Sequence, residues 1–401
     1  MQSDTPHFAR IAQRAPLILV RRFLEQIDPD FAPTIDWQQA DKALRKHLKQ
    51  AAHDLPDERR RHLDEVAERI DRMTDEAGVE AIRYLRDEIV APEMFEQQLD
   101  QYGRSLWLYL EEPANFQRAE DTRYADEYRG SPRIYAAFEG PVGVTVTAKE
   151  QDALLTSLAE LFPNHSPMLF DHFVRPRHDI EAGEEIELHQ FSIDHNDDQQ
   201  SVETIAEDGD RTLVYFCPLN SIKITYEPSN GVVEIYSRQR NLHPDIFRRF
   251  ARHILQREID PVAIPKRCYD LSSLSEPRPF PVTDPDIASV RVSQLRLKAG
   301  TRRSSITLKL GAGETRTIWQ LAWEVFGHLS PLAQAYEINQ ATLVIGFHKR
   351  PQQRRSKALT IVISLPNGCN IKSHCDKDRQ LAEKYLKAWH LLQADAAPGD
   401  A

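Results

Sequence analysis

The stretch IKITYEPSNGVVEIYS, residues 222–237, contains the pattern that decides the fold of the central part of the chain. Its two runs of β-branched and aromatic residues flank Asn230 and Gly231, a pair that favours a tight hairpin turn. The segment HPDIFRRFARHIL, residues 243–255, follows with apolar residues at helical spacing, and proline suits the first turn of a helix. These signals predict a β-hairpin followed by an amphipathic helix.

A similar order is found near the end of the chain. The stretch LTIVISLPNGCNIKS, residues 359–373, again has an Asn-Gly pair between two apolar runs. The segment DRQLAEKYLKAWHLL, residues 378–392, then follows with helical spacing. Two related α+β modules in tandem would explain the match, and chance is the alternative because this order of elements is common.

Turn and composition signals divide the rest of the chain. Charged amphipathic segments before residue 125 predict a helical domain, and residues 142–147 predict a strand. Six prolines between residues 260 and 287 exclude a long element there. We predict an α+β fold with mainly antiparallel sheets. The predicted regions are a helical domain (1–125), a first α+β module (126–259), a proline-rich linker (260–287), a basic second α+β module (288–392) and a tail (393–401).

Composition excludes several classes of protein. Of the 401 residues, 41% are hydrophobic and 28% are charged, so the chain is neither wholly disordered nor of low complexity. The apolar run 15–20 is too short for a signal peptide, and no window approaches the roughly 18 apolar residues of a membrane span. Four cysteines do not make a disulfide framework. We predict a cytoplasmic protein with reduced thiols, in which Cys217 is a buried thiol of an apolar strand.

Charge is unevenly distributed along the chain. Residues 288–401 contain 17 Lys and Arg against 8 Asp and Glu, although the whole chain carries a net charge of −10. A basic region of this size predicts a polyanionic partner, and we expect contacts with the phosphates of DNA or RNA. An alternative interpretation of the charged segment 348–357 is a solubilising hairpin tip. The predicted nucleic-acid-binding residues are Lys298, Arg302, Arg303, Lys309, Lys349, Arg350, Arg354, Arg355 and Lys357.

The stretch FDHFVRPRHDIEAGEEIELHQFSIDHNDD, residues 170–198, combines imidazoles with carboxylates, which are ligands of zinc, manganese and iron. Its spacing matches no compact metal motif, so the favoured interpretation is an exposed acidic loop. Two alternatives are a cover for the chain's own basic surface and the site of a metal-dependent hydrolase. The residues of such a site would be Asp171, His172, His178, Asp179, Glu181, His189, Asp194, His195 and Asp197.

Signatures of the common catalytic sites are absent from the sequence. There is no phosphate loop, dinucleotide fingerprint, nucleophile elbow or kinase set. Metal-dependent nucleases need clustered carboxylates with a nearby lysine. The strand 232–237 offers the carboxylate of Glu234, but Tyr236 occupies the position where the lysine would be needed. We therefore predict no catalytic residue, no metal site and no cofactor.

Three segments carry a resemblance to known sequences. They are the strand 232–237, FPVTDPD (280–286) and ISLPNGCNIK (363–372). Together they resemble an uncharacterised family of bacterial proteins associated with mobile-element and phage-defence genes. The resemblance covers roughly residues 210–392 and implies a bacterial accessory or defence role, without assigning a role to any residue.

The predicted function is a non-catalytic, nucleic-acid-binding component of a bacterial complex that contacts phosphates through residues 288–392. A protein partner is expected to bind the helical or acidic regions, and no membrane partner is expected. The alternative functions are a protein–protein adaptor without nucleic-acid binding and the metal-dependent hydrolase that uses residues 171–197.

Overall fold

The structure is a computed structural model, and its described residues fall into two compact units. The described residues are 5–98, 100–129, 131, 133–146, 150–162, 167–179, 184–205, 210–264, 269–298, 304–311, 313–333, 336–349, 356–365 and 368–392. Unit 1 comprises Met1–Glu127, Gly140–Arg177 and Ile186–Asp260. Unit 2 comprises Tyr128–Glu139, His178–Glu185 and Pro261–Ala401.

Twelve α-helices are found in the described part of the chain, and the first eight confirm the predicted N-terminal helical region. These are α1 (Pro6–Arg14), α2 (Leu17–Ile27), α3 (Asp41–His53), α4 (Asp57–Arg72), α5 (Glu76–Tyr84), α6 (Pro92–Glu96), α7 (Gln101–Glu111) and α8 (Pro113–Tyr128). The others are α9 (Gln151–Leu161), α10 (His243–His253), α11 (Ile318–Phe326) and α12 (Asp376–Ala388). Among these described helices, none combines the length and apolarity needed to cross a bilayer.

The N-terminal helices form for local reasons and are held by a shared core. Asp75 and Asp100 cap α5 and α7 by accepting hydrogen bonds from the backbone N–H groups of Gly78 and Gly103. Several of these helices bury one apolar stripe, for example Leu63, Ala67 and Ile70 on α4. Burial of each large side chain contributes about 2 kcal/mol, and the charged faces remain at the surface.

Twelve strands form three mainly antiparallel sheets in the described chain, which confirms the predicted α+β class. The strands are β1 (Tyr135–Glu139), β2 (Met168–Asp179), β3 (Glu184–Asn196), β4 (Gln200–Ile205), β5 (Arg211–Phe216), β6 (Leu219–Glu227), β7 (Val232–Tyr236), β8 (Ile287–Lys298), β9 (Ser305–Lys309), β10 (Glu337–Phe347), β11 (Ala358–Ser364) and β12 (Gly368–Cys369). In unit 1 the neighbours are β7-β6-β3-β2, and in unit 2 they are β12-β11-β10-β8-β9. The third sheet consists of β4 and β5.

The hairpin predicted at residues 222–237 is present as β6 and β7. Gly231 has a φ of 75°, a left-handed conformation that glycine adopts without strain. One face of this sheet is apolar, and on it Phe191 packs edge-to-face against Phe250 of α10 at a centroid distance of 4.9 Å. Ile224 of β6 and Ile235 of β7 lie opposite each other and are fully buried. The helix predicted at residues 243–255 therefore covers the apolar side of the hairpin.

Two predictions about the secondary structure of the first module are wrong. The acidic stretch is not an exposed loop, because it forms most of β2 and β3, and residues 189–196 of β3 pair with β6. Both faces of β3 are buried here, one at Phe191 and Ile193 and the other at Gln190 and Ser192. Residues 142–146 form a turn and an irregular segment instead of a strand, with Gly143 at a φ of 71°. Residue 147 lies outside the described residues.

Unit 2 is built around its own five-stranded sheet. The inner face of that sheet carries fully buried side chains such as Leu295, Leu343 and Ile361. Trp389, near the end of α12, is also fully buried, and its Nε1 donates a hydrogen bond to the carbonyl oxygen of Pro281 at 3.0 Å. The proline-rich segment therefore contributes to the core of this unit.

The two segments that match in sequence have corresponding positions in their sheets. In unit 1, β3 pairs with β6, β6 pairs with β7, and α10 follows. In unit 2, β10 pairs with β11, β11 pairs with β12, and α12 follows. All four pairings are antiparallel, so the similarity extends beyond the sequence match to one additional strand in each unit.

Candidate nucleic-acid interface

The outward side of the unit 2 sheet is defined by the register of its strands. Directly opposed residues share a face, so the buried pair Leu295 and Ala341 fixes the inner side. We call the opposite side the outer face. It consists of Ser289, Arg291, Gln294, Arg296 and Lys298 on β8, Ser305, Thr307 and Lys309 on β9, Glu337, Gln340, Thr342, Val344 and Gly346 on β10, and Ala358, Thr360, Val362 and Ser364 on β11.

Four cations are concentrated on one side of the outer face. We call them the outer-face cations, and they are Arg291, Arg296, Lys298 and Lys309. All four are exposed, and within the described part of the chain none has a carboxylate at ion-pair distance. Arg296 Nε donates to the hydroxyl of Ser305 at 3.3 Å, which orients the guanidinium without neutralising it. The charge of this side of the sheet is therefore available to an external anion.

The outer face is otherwise nearly neutral. Glu337 is its single acidic residue, and all of its positions on β8 to β11 are described. Hydroxyl and amide side chains fill most of the remaining positions, and they can donate hydrogen bonds to phosphate oxygens. Arg291 and Lys298 are seven residues apart on β8, which corresponds to about 23 Å at the usual rise of a strand. This length suits several consecutive phosphates of a nucleic-acid strand.

The predicted binding residues are distributed over both ends of the sheet. Lys298 and Lys309 belong to the outer face, as described above. Lys349 and Lys357 lie at the opposite end of the strands, because Gly346 pairs with Ala358 and Glu337 pairs with Lys298. The two ends are about 36 Å apart along the twelve residues of β8. Arg302, Arg303, Arg350, Arg354 and Arg355 lie outside the described residues.

Lys357 already has a carboxylate partner. Its Nζ lies 2.9 Å from the Asp378 carboxylate of α12 and 5.9 Å from the ring centroid of Phe347. The Asp378 side chain is only 7% exposed, so the pair is partly shielded from solvent. A phosphate at Lys357 would have to compete with this carboxylate, whereas Lys349 is exposed.

Arg291 and Arg296 were not among the predicted binding residues. Both lie within a segment whose alternation of polar and apolar residues predicts a β-strand but does not assign these two side chains to a common face. Strict alternation would place Arg291 and Arg296 on opposite faces, because they are an odd number of residues apart. The bulge between Val292 and Gln294 adds one residue to β8 and brings Arg291, Arg296 and Lys298 to the same face. That bulge depends on pairing with β10, which is more than 40 residues away, so the face could not be read from β8 alone.

In unit 1, strand β2 of the acidic stretch forms ion pairs with α8. Arg118 of α8 donates two hydrogen bonds to Asp171, at 2.8 and 2.9 Å. Burial raises the pKa of Asp171, but the hydrogen bonds and charge of Arg118 outweigh it and lower that pKa below its usual value. Arg175, which is 1% exposed, binds the Asp126 carboxylate of the same helix at 2.8 Å. These carboxylates and cations join β2 to α8.

Lys223 forms a second buried ionic cluster in unit 1. Its Nζ lies 2.8 Å from Asp121 and 3.0 Å from Asp194, and its side chain is 4% exposed. The hydroxyl of Ser192 donates to Asp121 at 2.6 Å, and that of Ser221 donates to Asp194. Since two carboxylates share one ammonium and two hydroxyls, the cluster is well supplied with hydrogen bonds. It explains how β3 and β6 can bury a polar face.

Two histidines of the stretch form a close pair. His172 Nε2 lies 3.0 Å from His189 Nδ1, and the His172 ring stacks on Phe191 at a centroid distance of 4.4 Å. Burial, together with the charge of His189, lowers the pKa of His172 to about 4. Burial also lowers the pKa of His189, although Glu187 Oε1, at 2.7 Å from its Nε2, acts in the opposite direction. Both rings are therefore neutral in the folded state near neutral pH.

This pair predicts a loss of stability in mild acid. Because the pKa of His172 is below its unfolded value of about 6.5, the unfolded chain binds the proton first as the pH falls. Stability is therefore lost between about pH 6.5 and pH 4. His172→Phe keeps the stacking on Phe191 and removes the titration. Over this pH range, we expect the free energy of unfolding of the variant to fall by on the order of 1 kcal/mol less than that of the wild type.

Urea unfolding at several pH values checks this prediction. His62→Phe is the control, because His62 is an exposed histidine on α4 and its removal also eliminates one imidazole. If His172→Phe and the wild type show the same pH dependence, the histidine pair does not set acid stability.

The stretch does not assemble a metal site from its described residues. His189 and His195 lie on the apolar side of β3, whereas Asp194 lies on the other side and binds Lys223. Among the described residues of 171–197, no three candidate ligand atoms lie within 4.8 Å of one another. Asp197 instead accepts a hydrogen bond from Asn220. Glu181 and the side chains of His178 and Asp179 lie outside what the structure describes.

No family model, no curated protein and no solved structure matches the chain. Function is therefore inferred from the geometry and charge of the two units.

Proposed function

We propose that the protein binds nucleic acid by placing the sugar-phosphate backbone on the outer face of the unit 2 sheet. The observation that supports this proposal is the group of four exposed outer-face cations without carboxylate partners among the described residues. Release of condensed counterions from the nucleic acid would then drive binding. Lys349 and the arginines outside the described residues would extend the contact beyond the sheet.

The composition of the outer face favours binding without sequence preference. Its described positions carry no aromatic side chain on which a base could stack, and the central ones are Thr342, Val344 and Val362. Arginine and lysine on such a surface contact phosphates, which position a nucleic acid but carry no sequence information. The role in a bacterial complex and in phage defence is a further proposal, which is based on the sequence resemblance.

Fluorescence anisotropy with the full-length chain tests the proposal. Labelled single- and double-stranded oligonucleotides of one sequence, as DNA and as RNA, are titrated at salt concentrations from about 50 to about 200 mM. The four outer-face cations alone would make log K fall linearly with log salt with a slope of about −3 to −4, and further contacts would make the slope steeper. Absence of binding to every oligonucleotide at the lowest salt would reject the proposal and leave the protein–protein adaptor as the better hypothesis.

A further inference from the structure

The third sheet of the molecule is a two-stranded hairpin made of β4 and β5. Every residue of both strands is exposed. The exposed fractions of Ile205, Tyr215 and Val202 are 73%, 60% and 53%. A two-stranded hairpin is marginally stable alone in water, and large exposed apolar patches mark interaction sites. This hairpin therefore has the properties of a surface that is covered in the assembled protein.

The two faces of the hairpin differ in charge. On one face, the cross-strand pairs are Gln200 with Phe216, Val202 with Val214, and Thr204 with Thr212. None of these six side chains is charged, and we call this side the neutral face. The other face carries Ser201, Glu203, Ile205, Arg211, Leu213 and Tyr215. There, Glu203 and Arg211 lie 3.6 Å apart and neutralise each other.

The free edges of the hairpin also differ. The edge of β5 presents Thr212, Leu213, Val214, Tyr215 and Phe216 in succession, and its one charged residue, Arg211, lies at the end of the strand. The edge of β4 presents Glu203 among mostly polar residues. An unpaired strand edge pairs readily with another strand, and charged residues oppose such pairing. Of the two, β5 is the edge suited to accept a further strand.

We propose that β5 pairs with β5 of a second copy of this chain, antiparallel and about a two-fold axis at Val214. In this register Val214 faces its own counterpart, Thr212 faces Phe216, and Leu213 faces Tyr215. Directly opposed residues then lie on the same face, so the neutral faces of the two hairpins become continuous. Arg211 falls opposite Cys217, so no like charges meet.

The sequence of β5 favours a second copy of this chain as the partner of its free edge. Leu213 and Tyr215 form an aromatic–aliphatic cross-strand pair that occurs twice under two-fold symmetry, as do Thr212 and Phe216. Each contact of an isologous interface is repeated in this way, so the uncharged run 212–216 of β5 is complementary to itself. The chain carries a net charge of −10, and association of two copies is least opposed where the contacting residues, 212–216, are uncharged.

Cysteine cross-linking of the full-length chain tests the arrangement. Val214→Cys is made in a Cys217→Ser background, because the exposed Cys217 would otherwise compete. The paired Cβ atoms at position 214 would be about 5 Å apart, within reach of a disulfide after a small adjustment. We expect mild oxidation to convert most of this variant to a disulfide-linked dimer. We also expect the unmodified chain to sediment with the mass of two copies.

Val202→Cys in the same background is the matched control. Val202 is the direct cross-strand neighbour of Val214 on the same face. In the proposed dimer, the two copies of position 202 are separated by three strand spacings, or about 14 Å, so no disulfide forms. Circular dichroism of both variants confirms that the fold is kept.

Three outcomes would overturn the proposal. The first is a monomer mass for the unmodified chain, together with Val214→Cys cross-linking no better than Val202→Cys. The second is a dimer mass without cross-linking at position 214, because the dimer would then use another surface. The third is a monomeric chain that co-sediments with phosphatidylcholine vesicles, because the hairpin would then bind a lipid surface instead of a second copy.

Discussion

Replacement of the four outer-face cations by glutamine is expected to weaken the binding of oligonucleotides by roughly 100-fold at low salt. The substitutions are Arg291→Gln, Arg296→Gln, Lys298→Gln and Lys309→Gln. The slope of log K against log salt is expected to become less steep by about 3 for single strands and about 4 for duplexes. The variant makes four fewer phosphate contacts, so its binding releases fewer counterions. Because all four side chains are exposed, the fold should be unaffected.

A control variant with the same change in net charge separates a localised site from general attraction. It carries Lys42→Gln, Lys46→Gln, Arg61→Gln and Arg86→Gln, which replace four exposed cations of the N-terminal helical region. The proposal requires this control to bind nearly as well as the wild type. If both variants lose affinity equally, the net charge of the chain is responsible, and the outer face is not the binding site.

Lys223→Met is expected to destabilise the protein by about 3 kcal/mol. The substitution preserves much of the side-chain volume but leaves the carboxylates of Asp121 and Asp194 without their shared ammonium group. The Asp121 side chain is only 7% exposed and that of Asp194 is 21% exposed, so solvent replaces little of the lost interaction. Urea titration of the full-length chain, followed by circular dichroism, measures the change in unfolding free energy.

Two comparisons make the Lys223 result specific. Lys384→Met removes a lysine that binds Asp284 at 3.1 Å in a pair whose side chains are about 30% exposed, and it is expected to cost no more than about 1 kcal/mol. Adding Asp121→Asn and Asp194→Asn to Lys223→Met should restore part of the lost stability, because the buried negative charges are removed. Equal effects of the two lysine substitutions would contradict the assignment of a buried ionic cluster.

Local signals in the sequence were sufficient for the elements whose geometry is local. The Asn-Gly turn at Asn230 and Gly231 sets the hairpin of β6 and β7, and the helical spacing of apolar residues in 243–255 corresponds to α10. Both signals lie within a few residues of the structure that they specify. The α+β class followed from them.

The acidic stretch was misinterpreted because its structure depends on distant residues. Asp171 and Asp194 are acceptable in strands only because Arg118 and Lys223 neutralise them from α8 and β6. The residues of the stretch alone do not identify these partners, so its density of carboxylates predicts an exposed loop. The sequence spacing of His172 and His189 likewise did not show that two adjacent strands bring their rings together.

Cys217 was misinterpreted for a related reason. It follows the apolar strand β5, and such strands are usually buried. The prediction of a buried thiol is wrong because β5 pairs in a two-stranded sheet with both faces exposed, and Cys217 is itself exposed. The apolar sequence of β5 is explained if a second copy of the chain covers it.

The candidate interface was partly predictable. Counting charges identified the basic C-terminal region and, within it, Lys298 and Lys309. Assigning Arg291 and Arg296 to the same surface required the register of β8 with β10, including a bulge. Lys349 and Lys357, which the same counting grouped with Lys298, lie at the other end of the strands.

Lysine acetylation, measured by mass spectrometry with and without an oligonucleotide at low salt, tests the central claim most directly. The outer-face proposal predicts that Lys298 and Lys309 become protected, whereas Lys357, which is held by Asp378, and Lys42 of the helical region keep the reactivity of the free protein. Unchanged reactivity of Lys298 and Lys309, with protection confined to lysines elsewhere, would contradict the proposal.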